Sequence, residues 1–184
     1  MERRNFIKLG ALSTLFYGSN LVSCVQRQRA GAIDSDILVV GATPAGIMAA
    51  IAAARLGSRV ILAEYHYHVG GMSTSGLGKS DIENKDAIAG LFREFTEAVK
   101  TYYINTYGAG SEHVKCCRDG YYYEPSVAEF VFNNMISAEQ NIRVLLGHRI
   151  EKVSVQDQTI QEIGFHARKK KRDVKLRASV FIDA

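Results

Sequence analysis

Gly41, Thr43, Gly46 and Glu64 have the types and spacing of a turn that receives a phosphate, followed by a carboxylate that receives a sugar. In the pattern G-x-G-x-x-G, the first glycine permits the tight turn. The second lets backbone approach a pyrophosphate, and the third lets a helix pack closely on a strand. Thr43 stands at the middle position, so a β-carbon and a hydroxyl occupy the place where phosphate comes near, and that hydroxyl can donate a hydrogen bond. Pro44 suits a first helical turn, where its missing N–H costs nothing, and Ala45 and Gly46 continue that turn. Glu64 lies 18 residues past Gly46, where ribose hydroxyls are bound. A carboxylate accepts from two hydroxyls and repels a 2′-phosphate, which favours FAD or NAD over NADP.

These residues need a strand, a turn, a helix and a second strand in register. The β-branched run 37–40 reads as a strand buried on both faces of a parallel sheet. The alanine-rich stretch 45–56 reads as a narrow helix ended by Gly57, and 60–63 as the strand leading to Glu64. Beyond it, Ile88, Leu91, Phe92, Phe95, Val99, Tyr102 and Tyr103 recur at helical spacing over 86–107. Residues 105–120 read as a loop, 124–136 as a helix, and 143–146 as a further sheet strand. A three-stranded antiparallel meander is expected from Ile150 to about Leu176, and a return strand to Ala184.

The unit 36–71, followed by Gly70-Gly71-Met72 and Gly76-Leu77-Gly78, resembles the FAD-dependent oxidoreductases of the glutathione-reductase-like superfamily. More narrowly it is similar to bacterial proteins with T-P-A-G in the turn, a group sometimes labelled xanthan lyases and related to the flavin-carrying chain of heterodisulfide reductase. The resemblance runs from about residue 35 to 184 and implies an α/β, Rossmann-like FAD-binding domain: a parallel sheet with an antiparallel three-stranded meander as crossover. It implies pyrophosphate on Gly41, Thr43, Pro44, Ala45 and Gly46 and ribose on Glu64. It also implies Gly70, Gly71 and Met72 near the diphosphate or ribityl chain, and backbone at Ile150 beside adenine. In such proteins the strand Phe181-Ile182-Asp183-Ala184 usually runs on into an acidic Gly-Asp segment, so the chain is expected to cover the N-terminal part of a truncated FAD domain.

The first residues carry a different message. Arg3-Arg4-Asn5-Phe6-Ile7-Lys8 looks like a twin-arginine export signal, and 9–23 is an apolar stretch too short and too polar to span a bilayer. Leu21-Val22-Ser23-Cys24 resembles a lipobox, with Cys24 as the lipidated residue. The expected organisation is a lipoprotein signal peptide over 1–23, a polar tether over 24–34 and the domain over 35–184, with export to a bacterial periplasm or envelope and a lipid anchor in the membrane. The twin-arginine route carries folded proteins, so a tightly held flavin can be loaded before crossing.

Composition is ordinary for a globular domain, with 47% apolar and 23% charged residues. The net charge of +4 is no nucleic-acid signature, because Glu2, Arg3, Arg4 and Lys8 alone contribute half of it. The run Arg168-Lys169-Lys170-Lys171-Arg172 reads as a solvated hairpin tip that discourages edge pairing, the alternative being a phosphate or partner patch. Cys116 and Cys117 with His113 make an incomplete zinc set, so no metal site is expected. Three cysteines in all give no support for the 4Fe-4S cluster of heterodisulfide reductase relatives. His66 and His68 are expected to line the loop over the adenosine half.

The reading is an exported FAD-dependent oxidoreductase exchanging hydride between a small-molecule substrate and an electron acceptor, neither of them identified. No nucleophile, base and orienting group stand together, so no catalytic residue is assigned. The alternative is a non-catalytic or vestigial dinucleotide-binding fragment. An NAD-binding dehydrogenase is disfavoured by the Gly70-Gly71-Met72 segment, and no proton-abstracting set for a carbohydrate lyase is found.

Overall fold

The computed structural model describes residues 32–82 and 84–184. The export signal, Cys24 and the first part of the tether lie outside the described residues.

Four strands make a parallel sheet: β2 (Ile37–Val40), β3 (Val60–Glu64), β4 (Ile142–Leu146) and β8 (Val180–Asp183), in the spatial order β4-β3-β2-β8. Four more make a mixed sheet: β1 (Ala32–Asp34), β5 (His148–Gln156), β6 (Thr159–Ala167) and β7 (Arg172–Arg177), in the order β1-β7-β6-β5. Strands β5, β6 and β7 form the expected antiparallel meander, which begins at His148 rather than Ile150. Side chains alternate across a strand, and each parallel strand therefore feeds two cores. Leu38, Ile61 and Ala63 pack with Ile163, Phe165 and Leu176 of the meander. Val39, Val60 and Leu62 pack with the helices on the other face. The outcome is a three-layer α/β domain of the Rossmann-like kind, as its sequence implied.

The helical layer consists of α1 (Pro44–Arg55), α2 (Gly90–Tyr107), the short α3 (Glu112–Cys116) and α4 (Pro125–Ser137). Helix α1 crosses from β2 to β3 with Gly46, Ile47, Ala50, Ile51, Ala53 and Ala54 buried, and its small side chains let it lie close to the sheet. Arg55 at its end bonds both oxygens of Glu94 on α2 at 2.9 Å and Glu139 at 2.7 Å, which ties three segments together at the surface. Those bonds hold the Glu94 carboxyl below the usual glutamate range.

Aromatic stacking supplies the centre of the helical core. Phe132 of α4 stacks on Phe95 of α2 with centroids 4.4 Å apart, and Tyr123 meets the Phe95 ring edge-on at 5.5 Å. Phe132 is 1% exposed. Phe132→Ala is expected to cost about 3–5 kcal/mol, seen as a lower urea midpoint with the slope unchanged. A loss under about 1 kcal/mol would show that this stack does not anchor the layer.

Two local expectations are corrected and a third is extended. Residues 105–120 are not a loop: α2 continues to Tyr107, α3 follows, and a 3-10 turn covers Arg118–Gly120. Ser111 caps α3 by accepting from the Val114 amide at 3.3 Å, and Val114 and Cys117 then reach the core. Residues 32–34, placed in the tether, instead form β1, whose Ile33 packs against the meander core while the strand runs parallel to β7. The basic run is a hairpin tip, and it is also pinned: Arg168 lies over the Tyr65 ring at 4.7 Å and Lys169 over Tyr67 at 4.3 Å.

Candidate functional site

The site sits at the carboxyl ends of β2 and β3, where Gly41 leaves the sheet. Gly41 donates its N–H to Ala63 O at 2.8 Å and takes φ +102°, a conformation that a side chain disfavours. A β-carbon there would collide with the Ala184 carbonyl, because β8 ends beside the turn and Ala184 N bonds Val40 O at 2.9 Å. A β-carbon on Gly46 would collide with Gly41 O. The first and third glycines thus permit two backbone approaches, turn against strand and helix against turn.

Thr43 replaces the middle glycine and caps the helix. Its Oγ1 accepts from the Gly46 amide at 3.2 Å, in extended backbone immediately before Pro44. That narrows the expected donor set. Pro44 has no N–H, and the Gly46 N–H is taken. Among the described residues, no acceptor meets the Thr43 and Ala45 amides. These two N–H groups and the Thr43 hydroxyl proton remain available at the positive end of a 12-residue helix.

Gly70 and Gly71 lie against this turn. Gly70 donates to Ala42 O at 2.7 Å with φ +99°, and a β-carbon on Gly71 would stand 3.5 Å from Thr43 Cα. Met72 begins no such contact; its side chain is 74% exposed.

Glu64, at the end of β3, is half-buried and holds two backbone amides. Oε2 accepts from Ala42 N at 2.7 Å and Oε1 from His66 N at 2.8 Å. Each oxygen keeps a further lone pair for a hydroxyl donor. The carboxylate therefore does two jobs, fixing the turn's first amide and facing outward as an acceptor. A cavity of about 290 Å³ joins Gly41, Glu64 and Ile150, with Tyr65, His148, Arg149, Asp183 and Ala184 completing its wall. Thr43, Pro44, Ala45 and Gly46, which follow Gly41 along the turn, are not part of its wall, and neither is Met72. His66 packs edge-on against Tyr65 at 4.9 Å and lies tilted against His68 at 5.4 Å.

The thiols are not brought into this site. Cys117 is buried and donates to Val114 O at 3.2 Å, Cys116 is exposed, and His113 stacks on Tyr107 at 3.9 Å. Among the described residues, no group of three or more His, Cys, Asp or Glu is placed to hold a metal ion, and no helix is long and apolar enough to cross a membrane.

The sequence reading missed Tyr65, His148 and Arg149 as wall residues, since nothing in their spacing announces that β5 folds back beside β3. It also missed the capping bond of Thr43, although Thr directly before Pro at a helix start is a legible capping signal.

Over residues 36–184 the sequence matches the family described as FAD dependent oxidoreductase. The chain belongs to that family. Among solved structures, the chain is similar to E. coli quinol fumarate reductase FrdA, with 17% identity over 84% of this chain and 33% of that one, at a TM-score of 0.56. The myxobacterial chondrochloren halogenase CndH, a variant of FAD-dependent halogenases, gives 16% identity over 82% and 37%, at a TM-score of 0.57. The 3-ketosteroid dehydrogenase of Rhodococcus jostii gives 13% over 86% and 47%, at 0.53. These likenesses establish the fold, and the chain spans less than half the length of each of the three. No curated protein matches the sequence. The family's cofactor is FAD, and the donor set fits it: unbonded amides at a helix N-terminus, a carboxylate with free lone pairs, and a cavity walled by that carboxylate and by Gly41.

Proposed function

We propose that this protein is the flavin-holding part of an exported oxidoreductase that exchanges hydride with a small-molecule substrate. The observation that carries the reading is a cavity in which Gly41, Glu64 and Ile150 meet. In this reading the Thr43 and Ala45 amides and the Thr43 hydroxyl hold the pyrophosphate, with Gly41 and Gly46 giving the turn its shape and Pro44 setting the helix start. Glu64 takes the ribose hydroxyls, and its charge excludes a 2′-phosphate. Backbone at Ile150 borders adenine, and the Gly70-Gly71-Met72 backbone borders the diphosphate or ribityl chain. FAD supplies the hydride-accepting and hydride-donating chemistry, while protein groups bind and orient it.

The share of its relatives that the chain spans supports a further element: the catalytic acid or base and the substrate pocket are completed by a longer polypeptide. T-P-A-G in the turn and Gly70-Gly71-Met72 support kinship with the exported bacterial group sometimes labelled xanthan lyases.

Export rests on Arg3-Arg4 and on Cys24 as the lipidated residue. With wild-type protein in the membrane fraction of its bacterial host, Cys24→Ser is expected to move it to the soluble fraction, and replacing both arginines by lysine to hold it in the cytoplasm. Unchanged membrane recovery of the serine variant would remove the anchor from the reading.

A further inference from the structure

A second cavity, of about 540 Å³, lies apart from the dinucleotide turn and is walled by Lys79, Ser80, Asp81, Ile82, Lys85, Arg118, Tyr121 and Tyr122. Its wall combines cations with aromatic faces. Lys85 Nζ lies 4.9 Å from the Tyr121 ring centre, and the Arg118 guanidinium 4.7 Å from that of Tyr122, with Lys79 Nζ at 5.7 Å from the same ring. Lys79 pairs with Asp81 at 3.0 Å, and Asp119 pairs with both Lys85 and Lys100 at 3.1 and 3.0 Å. Among the described residues, the wall itself carries three cations, Lys79, Lys85 and Arg118, and one carboxylate, Asp81, and Arg118 donates to a phenol oxygen, Tyr122 Oη, at 3.4 Å.

The wall is built rather than accidental. Lys79 and Tyr122 form an antiparallel bridge, extended by Ser80 N to Tyr121 O at 2.8 Å and Tyr123 N to Gly78 O at 2.9 Å. Arg118, Asp119 and Gly120 all take positive φ, of 45°, 63° and 88°, and Gly120 is wedged so closely on Thr96 O that no β-carbon fits. Two consecutive non-glycine residues in this region are uncommon and strained, and the packing that imposes them holds Arg118 at the cavity. The volume suits a small organic ligand.

We infer that this cavity binds a small organic anion, a carboxylate on an aromatic or apolar body, with Arg118 and Lys85 on the carboxylate and Tyr121 and Tyr122 against the body. This ligand site shares no wall residue with the cavity at Gly41 and Glu64 and goes beyond the function proposed above.

The test is calorimetric titration of the full-length protein with benzoate, benzamide and inorganic phosphate, with flavin content measured separately on the same preparation. Benzoate is expected to bind, benzamide not to, and Arg118→Gln and Lys85→Gln each to weaken benzoate at least about tenfold, as expected for loss of a charge-assisted bond. Lys85 sits on an exposed turn, so its variant reports even where Arg118→Gln folds poorly. Equal affinity for benzamide, phosphate binding in place of benzoate, or unchanged affinity in the Lys85 variant would overturn the inference. A flavin-loaded protein that ignores benzoate overturns it while leaving the proposed function standing; benzoate binding by a protein without flavin does the reverse.

Discussion

Gly41→Val is expected to abolish flavin retention. At φ +102° a β-branched residue is strained, and its β-carbon would run into the Ala184 carbonyl while Gly46 is already in closest approach to Gly41 O. Strain and overpacking together amount to about 2–5 kcal/mol. The energy is absorbed either by moving the turn, which misdirects the Thr43 and Ala45 amides, or by pushing β8 off β2, which opens the cavity wall. Both lose the cofactor. The check is visible absorbance of the purified variant beside its thermal transition: flavin at background and a lowered transition are expected. Stoichiometric flavin in the valine variant would mean that the turn does not carry the cofactor.

Glu64→Ala is expected to weaken FAD binding severely, for a different reason. It removes the acceptor of two ribose hydroxyls and leaves the Ala42 and His66 amides, now bonded at 2.7 and 2.8 Å, without a partner. A hydrogen bond to a charged group contributes about 1.5–3 kcal/mol, so FAD affinity should fall by roughly 100-fold or more. Glutamine should not rescue it. Both carboxylate oxygens accept from amides, and a side-chain NH₂ would face one of those donors. The measurement is FAD titration of apoprotein by quenching of flavin fluorescence. An alanine variant with unchanged affinity would contradict the assignment of the ribose to Glu64.

Much of this was legible because the informative signals are local. The turn, α1 and the strand to Glu64 follow one another within the reach of hydrophobic period and breaker residues, and Pro44 and Gly57 mark the helix ends. What stayed hidden depends on segments far apart in sequence. Ala32–Asp34 is too short to show a period, and it becomes a strand only because β7, more than a hundred residues later, offers an edge. Residues 105–120 look polar, and their helix is decided by the Ser111 cap and by Val114 and Cys117 finding the core. At the site, Ile150 was reached only by resemblance, while Tyr65, His148 and Arg149 became visible once β5 was seen to fold beside β3. The basic run read as a solvated tip, but its grip on Tyr65 and Tyr67 needs the hairpin and the loop after Glu64 to be brought together.

If the turn and Glu64 hold FAD, the protein expressed from its intact gene and freed of small molecules carries the flavin with it. Its visible spectrum, with the nucleotide identified after denaturation, decides the matter. Flavin absorbance near one equivalent, released as FAD, is the expected result. A folded protein that carries no flavin and takes up none from solution, or that releases NAD instead, would contradict it.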